Sequence, residues 1–266
     1  MTNNTEVSFA RTFRKFRPRN GFFMPEFLFD SELFEDPEFM LDLVSIYGCF
    51  LDYAPENLKN DKEFILKAIR RGGMGGTLEY VTQELRGDRD VVLEAIKQYS
   101  SEIRYASEEL KKDRDFIISA LKIDGYVLET LFKLPDEKRG VEPISDREII
   151  LEAAKTYDFA LGYATDELLD DREIMLTAVK CQGLNLRLAS KKFRNDKEIV
   201  LAAVNNMGWA LEYASKRLRS DYEVVLAAVK NDGLALKFAS DELRSDYNII
   251  TEAEKSHSWA SHYALG

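Results

Sequence analysis

Nine aspartates recur along the chain at near-constant spacing: Asp36, Asp61, Asp88, Asp113, Asp146, Asp171, Asp196, Asp221 and Asp246. Six of the eight intervals are 25 residues, and the others are 27 (Asp61 to Asp88) and 33 (Asp113 to Asp146). A ladder of carboxylates has the chemistry of acid–base pairs or of hard-cation ligands. Its regularity argues against both, because a catalytic pair is an exception within a repeat pattern and these groups are the pattern. Other reactive groups are few. The two histidines, His257 and His262, stand five residues apart, so they do not share a helical face as an i, i+4 zinc pair does. A Ser-His-Asp triad would need one of them, and no nucleophile-elbow motif is present. Gly72-Gly73-Met74-Gly75-Gly76 lacks the Lys-Ser/Thr pair that completes a phosphate-binding loop. It reads as an expansion inside a repeat. The sequence therefore predicts a non-enzymatic protein with no catalytic residues, no metal and no cofactor.

Three places carry residues suited to binding. The first is a basic patch of Arg11, Arg14, Lys15, Arg17 and Arg19, interleaved with Phe9, Phe13 and Phe16. The phenylalanine spacing of i, i+4, i+7 is one helical face. The segment reads either as a basic amphipathic helix for an anionic membrane or acidic partner, or as a helix burying its aromatics on the first repeat. The second is the stretch from Lys133 to Pro143, with Lys138 and Arg139 at a charged tip between Pro135 and Pro143. It reads as an exposed loop that either binds or is only tolerated. The third is Trp209, either an inter-repeat packing residue or a binding anchor.

The elements that must position these residues follow from the repeat. In the unit Asp221–Ser245, Asp221 suits a helix N-cap, and Glu223 adds negative charge where the helix dipole is positive. Val224, Val225, Leu226, Ala228 and Val229 form an apolar surface wide enough for a helix packed between two neighbours. Gly233 reads as a left-handed C-terminal cap, and a second, shorter helix would carry Leu234, Leu236, Phe238 and Ala239. Alanine recurs seven residues after the aspartate, from Ala68 to Ala253, broken only by Leu43. Arg187, Glu212 and Lys237 alternate in sign at one position of successive repeats, which reads either as solvated surface charges or as a ladder between stacked repeats, and in both cases helps to set register.

These features predict an all-α solenoid of about nine 25-residue helix-turn-helix repeats over residues 36–266. A degenerate N-terminal capping unit would lie within residues 1–35. The net charge of -10 argues against nucleic-acid binding through a basic surface. Cys49 and Cys181 occupy different repeat offsets, so a disulfide is not expected. No run of 18 apolar residues and no N-terminal apolar leader is present, which places the expectation in the cytoplasm or another intracellular setting.

The units Asp196–Ser220 and Asp221–Ser245 carry D-x-E-[IV]-V-L-A-A-V near the start and A-L-x-[YF]-A-S-x-x-L-R-x-D near the end. In these motifs the chain resembles the repeat catalogued as domain of unknown function 4116 (DUF4116), whose unit spans two such hairpins. Proteins similar to it occur in protists, large DNA viruses and amoeba-associated bacteria, the last of which would put a bacterial effector in the host cytosol. The resemblance implies an all-helical repeat protein and brings no catalytic residues. The function expected is a scaffold for a protein partner. The alternative is a peripheral membrane or anionic-ligand module using residues 9–19.

Overall fold

The computed structural model describes residues 34–46, 48–72, 76–132 and 142–265. Each of the nine aspartates stands in extended backbone directly ahead of a helix. These helices are α1 (Pro37–Val44), α2 (Lys62–Arg71), α3 (Arg89–Gln98), α4 (Arg114–Leu121), α5 (Arg147–Ala153), α6 (Arg172–Cys181), α7 (Lys197–Asn206), α8 (Tyr222–Asn231) and α9 (Tyr247–Ser256). In every case the carboxylate accepts hydrogen bonds from the first turn; Asp171 takes Glu173 N at 2.9 Å and Ile174 N at 3.1 Å. A cap of this kind stabilises its helix by about 1 kcal/mol. The apolar run behind it is buried between neighbours, as Val224, Val225, Ala228 and Val229 are in α8.

The second arm of the repeat differs from the α-helix that the sequence predicts. Gly183–Leu188, Gly208–Tyr213 and Gly233–Phe238 are six-residue 3₁₀ segments. A short helical turn follows each: Phe193–Asn195, Lys216–Arg219 and Asp241–Arg244. The reason is a change of period. Gly183, Leu186 and Ala189 are buried, as are Gly208, Leu211 and Ala214, and Gly233, Leu236 and Ala239. That three-residue spacing aligns on one face only when the chain turns three residues at a time.

The hinge glycines also work otherwise than predicted. Helices α6, α7 and α8 end in extended residues, Gln182, Met207 and Asp232. Among the described residues, positive φ occurs only at Gly72 and Gly76. Gly183, Gly208 and Gly233 are required by close approach: a Cβ there would collide with the carbonyl oxygens of Ala203, Ala228 and Ala253 in the next repeat. The glycine position and the alanine seven residues after each aspartate are therefore one contact.

The N–H of the same glycine is held by the following repeat. Asn206 Oδ1 accepts Gly183 N at 2.8 Å while its Nδ2 donates to the Lys180 carbonyl at 3.0 Å. Asn231 does the same for Gly208 N at 2.7 Å and the Asn205 carbonyl at 2.9 Å. Ser256 Oγ accepts Gly233 N at 2.7 Å.

The contacts divide the chain into two compact units, Met1–Leu131 and Phe132–Gly266, where the sequence predicts a single repeat domain over 36–266. The division falls in the lengthened interval between Asp113 and Asp146. Within the first unit, α1 to α4 pack in series; within the second, α5 to α9 do so. Both are built from the same helical repeat, so the fold is an all-α solenoid of tandem repeats. Among the described residues, β structure is limited to one bridge between Ile144 and Ala164. The N-terminal capping unit falls outside the described residues as far as residue 33.

Candidate binding surface

The edge formed by the helix N-termini is occupied by the protein's own charges. In five repeats the residue after the aspartate is basic and reaches the next repeat. Lys62 Nζ lies 2.9 Å from Asp88 and 2.8 Å from Asp90, and Arg89 lies 2.7 Å from Asp113. In the second unit, Arg147 meets Asp171 at 2.7 Å and Glu173 at 2.6 Å. Arg172 meets Asp196 at 3.4 Å and Glu198 at 2.5 Å, and Lys197 meets Asp221 and Glu223, each at 2.8 Å. The aspartate is thus a cap for its own helix and an acceptor for the repeat before it. The Arg147 guanidinium, opposed by partial burial and helped by the Ile174 N–H, holds the Asp171 carboxyl below the usual range. Lys197 is raised by its hydrogen bonds to Asp221 and Glu223. This ladder replaces the one predicted through Arg187, Glu212 and Lys237, which form no ion pairs with each other among the described residues.

A second surface is formed by the 3₁₀ arms, which pack in series in the second unit. The position after the hinge is apolar in five successive repeats: Phe159, Leu184, Trp209, Leu234 and Trp259. Phe159 is 62% exposed and Trp259 is 52% exposed, while the middle three are half-buried. Trp209 is fixed on three sides. Its Nε1 donates to Asp232 Oδ2 at 2.8 Å, its ring meets Phe238 edge-on at 5.7 Å, and Lys237 Nζ stands 3.7 Å from its centroid. An ammonium over an indole face is favourable by about 0.5–2 kcal/mol. All three partners belong to the next repeat, so Trp209 packs between repeats and is half-buried there.

The remaining candidate groups are dispersed. His257 Nδ1 lies 3.3 Å from Asp232 Oδ1, and His262 Nδ1 lies 2.9 Å from the Trp259 carbonyl. Cys49 and Cys181 are free thiols, and burial, with a hydrogen bond to Asp158, pushes Cys181 up to about 11. Among the described residues no three His, Cys, Asp or Glu side chains gather as a metal-holding group, and no helix is long and apolar enough to cross a membrane. At the glycine expansion, the buried Glu102 accepts Gly76 N through Oε1 and Leu78 N through Oε2 at 3.0 Å. This carboxylate is structural. Arg11, Arg14, Lys15, Arg17, Arg19, Lys138 and Arg139 lie outside the described residues.

The basic ladder and the apolar column escape a reading of single residues. Both carry a signal at fixed offsets, one and thirteen residues after each aspartate. No curated protein and no solved structure matches the chain. The model of the family described as Domain of unknown function (DUF4116) matches at residues 36–86, 88–134, 146–182, 171–219 and 221–265. Each match begins at one of the capping aspartates, and those of about 50 residues span two repeats. With these matches covering most of its length, the chain belongs to the DUF4116 family of tandem helical repeats.

Proposed function

We propose that this protein is a non-enzymatic helical-repeat scaffold that holds another protein against the 3₁₀ arms of its second unit. The observation that carries this reading is the apolar column from Phe159 to Trp259. Burial of a repeat interior does not require a 62% exposed phenylalanine and a 52% exposed tryptophan at the same offset. Large aromatics on a polar-rimmed surface are the usual anchors of protein interfaces. The carboxylates that recur with the repeat are engaged by caps and neighbouring cations, which supports a framework over a reaction centre.

Photocrosslinking in cells of origin tests the reading. Benzoylphenylalanine placed at Phe159 or Trp259 should capture one defined polypeptide, and the same group at Lys230 on α8 should not. Equal labelling from all three positions, or none from either column position, would overturn it.

A further inference from the structure

Where the short turn that closes each repeat begins, the pair directly after the Ser, Thr or Pro that follows the 3₁₀ arm is acidic or neutral in most units: Glu56-Asn57, Gln83-Glu84, Glu108-Glu109, Asp166-Glu167 and Asp241-Glu242. In two consecutive repeats the sign reverses, to Lys191-Lys192 and Lys216-Arg217. All four side chains are exposed. The two turns are joined directly. Ser215 N donates to the Arg194 carbonyl at 2.8 Å, and Arg217 bonds Asn195 through Nε at 2.9 Å and Nη2 at 2.7 Å. Lys192 has only a 3.8 Å approach to Asp170 and its place over the Phe193 ring. The result is a basic band two repeats wide on a chain of net charge -10.

The band continues into a cleft of about 300 Å³ whose lining includes Lys216, Arg219, Phe238 and Ala239 and also the carboxylates Asp241 and Glu242. Arg219 is the informative residue. Its counterparts Arg194 and Arg244 donate Nε to the carbonyls of Ala189 and Tyr263, while the counterpart Arg86 has, like Arg219, a buried Nε without a partner among the described residues. Arg219 Nε is buried and bonds nothing among the described residues. Arg219 lines the cleft beside Lys216, and the two cations together favour a carboxylate there through charge-assisted hydrogen bonds.

We propose that this band and cleft bind an acidic peptide segment of a partner protein, with a carboxylate on Arg219 and others along Lys216, Lys192 and Lys191. The proposal rests on the scaffold reading and supplies the chemistry of one partner contact. The flanking carboxylates Asp166 and Glu167 on one side, and Asp241 and Glu242 on the other, define the occupant's length. A nucleic acid or a membrane plane would press uniform negative charge against them. A short segment, acidic at its centre and basic at its ends, matches the sequence of signs. Phe238 and Ala239 give the cleft an apolar floor for an aliphatic stem. A twofold pair of this chain would bring basic band against basic band and is disfavoured.

The test is fluorescence anisotropy on the full chain with a labelled peptide of six glutamates bearing a lysine at each end. Charge-assisted pairing predicts that K191E/K192E/K216E/R217E weakens binding by about tenfold or more and R219Q by about fivefold. The variant K67E/K122E/K180E/K230E makes the same change in net charge on exposed lysines elsewhere and should alter binding less than about twofold. Circular dichroism of each variant controls for folding. Equal weakening by the two quadruple variants would overturn the proposal. So would absence of peptide binding, or tighter binding of phosphatidylserine vesicles or a single-stranded homopolymer than of the peptide. These outcomes leave the crosslinking result at Phe159 and Trp259 independent, so failure of the band and failure of the scaffold reading are separable.

Discussion

The helix N-terminal edge and the short-turn edge of the second unit are made by the same repeats, yet they use charge in opposite ways. On the first, Arg147, Arg172 and Lys197 each reach a carboxylate of the next repeat, at 2.5–3.4 Å. On the second, Lys191 and Lys216 are exposed, and their sign departs from the acidic or neutral residues that most repeats carry there. The cation that follows the aspartate in five repeats has a carboxylate partner in the next repeat. A charge that departs from the pattern in two neighbouring units has none of the same kind, and that is where an outside ligand has room to act.

The largest predicted effect tests whether both edges depend on the interior between them. Gly208→Ala forces a Cβ into the Ala228 carbonyl and should cost about 2–3 kcal/mol in urea unfolding, as overpacking does. Gly72→Ala meets no neighbour and carries only the strain of a positive φ, so about 1 kcal/mol is expected. Reversal of that order would remove close approach as the reason for the hinge glycines.

Next, Asp171→Ala should cost about 1 kcal/mol through the lost cap, while Asp171→Asn retains the cap and loses only the ion pair with Arg147. If both variants unfold at the same urea concentration, the cap contributes nothing separable from the charge. A related effect is seen in pH. The Asp171 carboxyl is depressed in the folded state, so its contribution is present above the ordinary carboxylate value, about 4, and is lost as pH falls through the lower folded value. Unfolding midpoints measured between pH 6 and pH 3 should decline less for Asp171→Asn than for the parent chain.

The smallest effect is on stability at the short-turn edge. Lys216→Glu should leave the unfolding midpoint unchanged within about 0.5 kcal/mol, and Lys197→Glu should lower it measurably, with the difference shrinking in high salt. Matching losses would abolish the distinction between the edges.

The caps were legible because aspartate ahead of an apolar run has a single strong physical meaning, and nine repetitions leave little doubt about register. The 3₁₀ arms were less legible. G-x-x-L-x-x-A runs for only seven residues, too short for its three-residue period to stand apart in the sequence from the 3.6-residue period of an α-helix. The hinge is ambiguous in sequence for a related reason: glycine serves positive φ and close approach equally well, and its partner lies 20 residues away in sequence. Trp209 was readable as a packing residue, but its capping by Lys237 depends on the stacking of two repeats. The sign reversal at Lys191-Lys192 and Lys216-Arg217 was visible in the sequence. It gained meaning once these turns were seen to share one edge and to lead to Arg219.

The asparagine that reaches back to the hinge gives two successive junctions of the second unit the same joint. Excising residues 196–220 would bring Asn231 to the Gly183 N–H, Ala228 to the Gly183 approach, and Asp221 with Glu223 to Arg172. Every junction would again find its complement. A gene encoding such a chain can gain or lose 75-nucleotide blocks in frame while the joint stays intact, so the number of repeats is free to drift and the outward-facing residues are free to diverge.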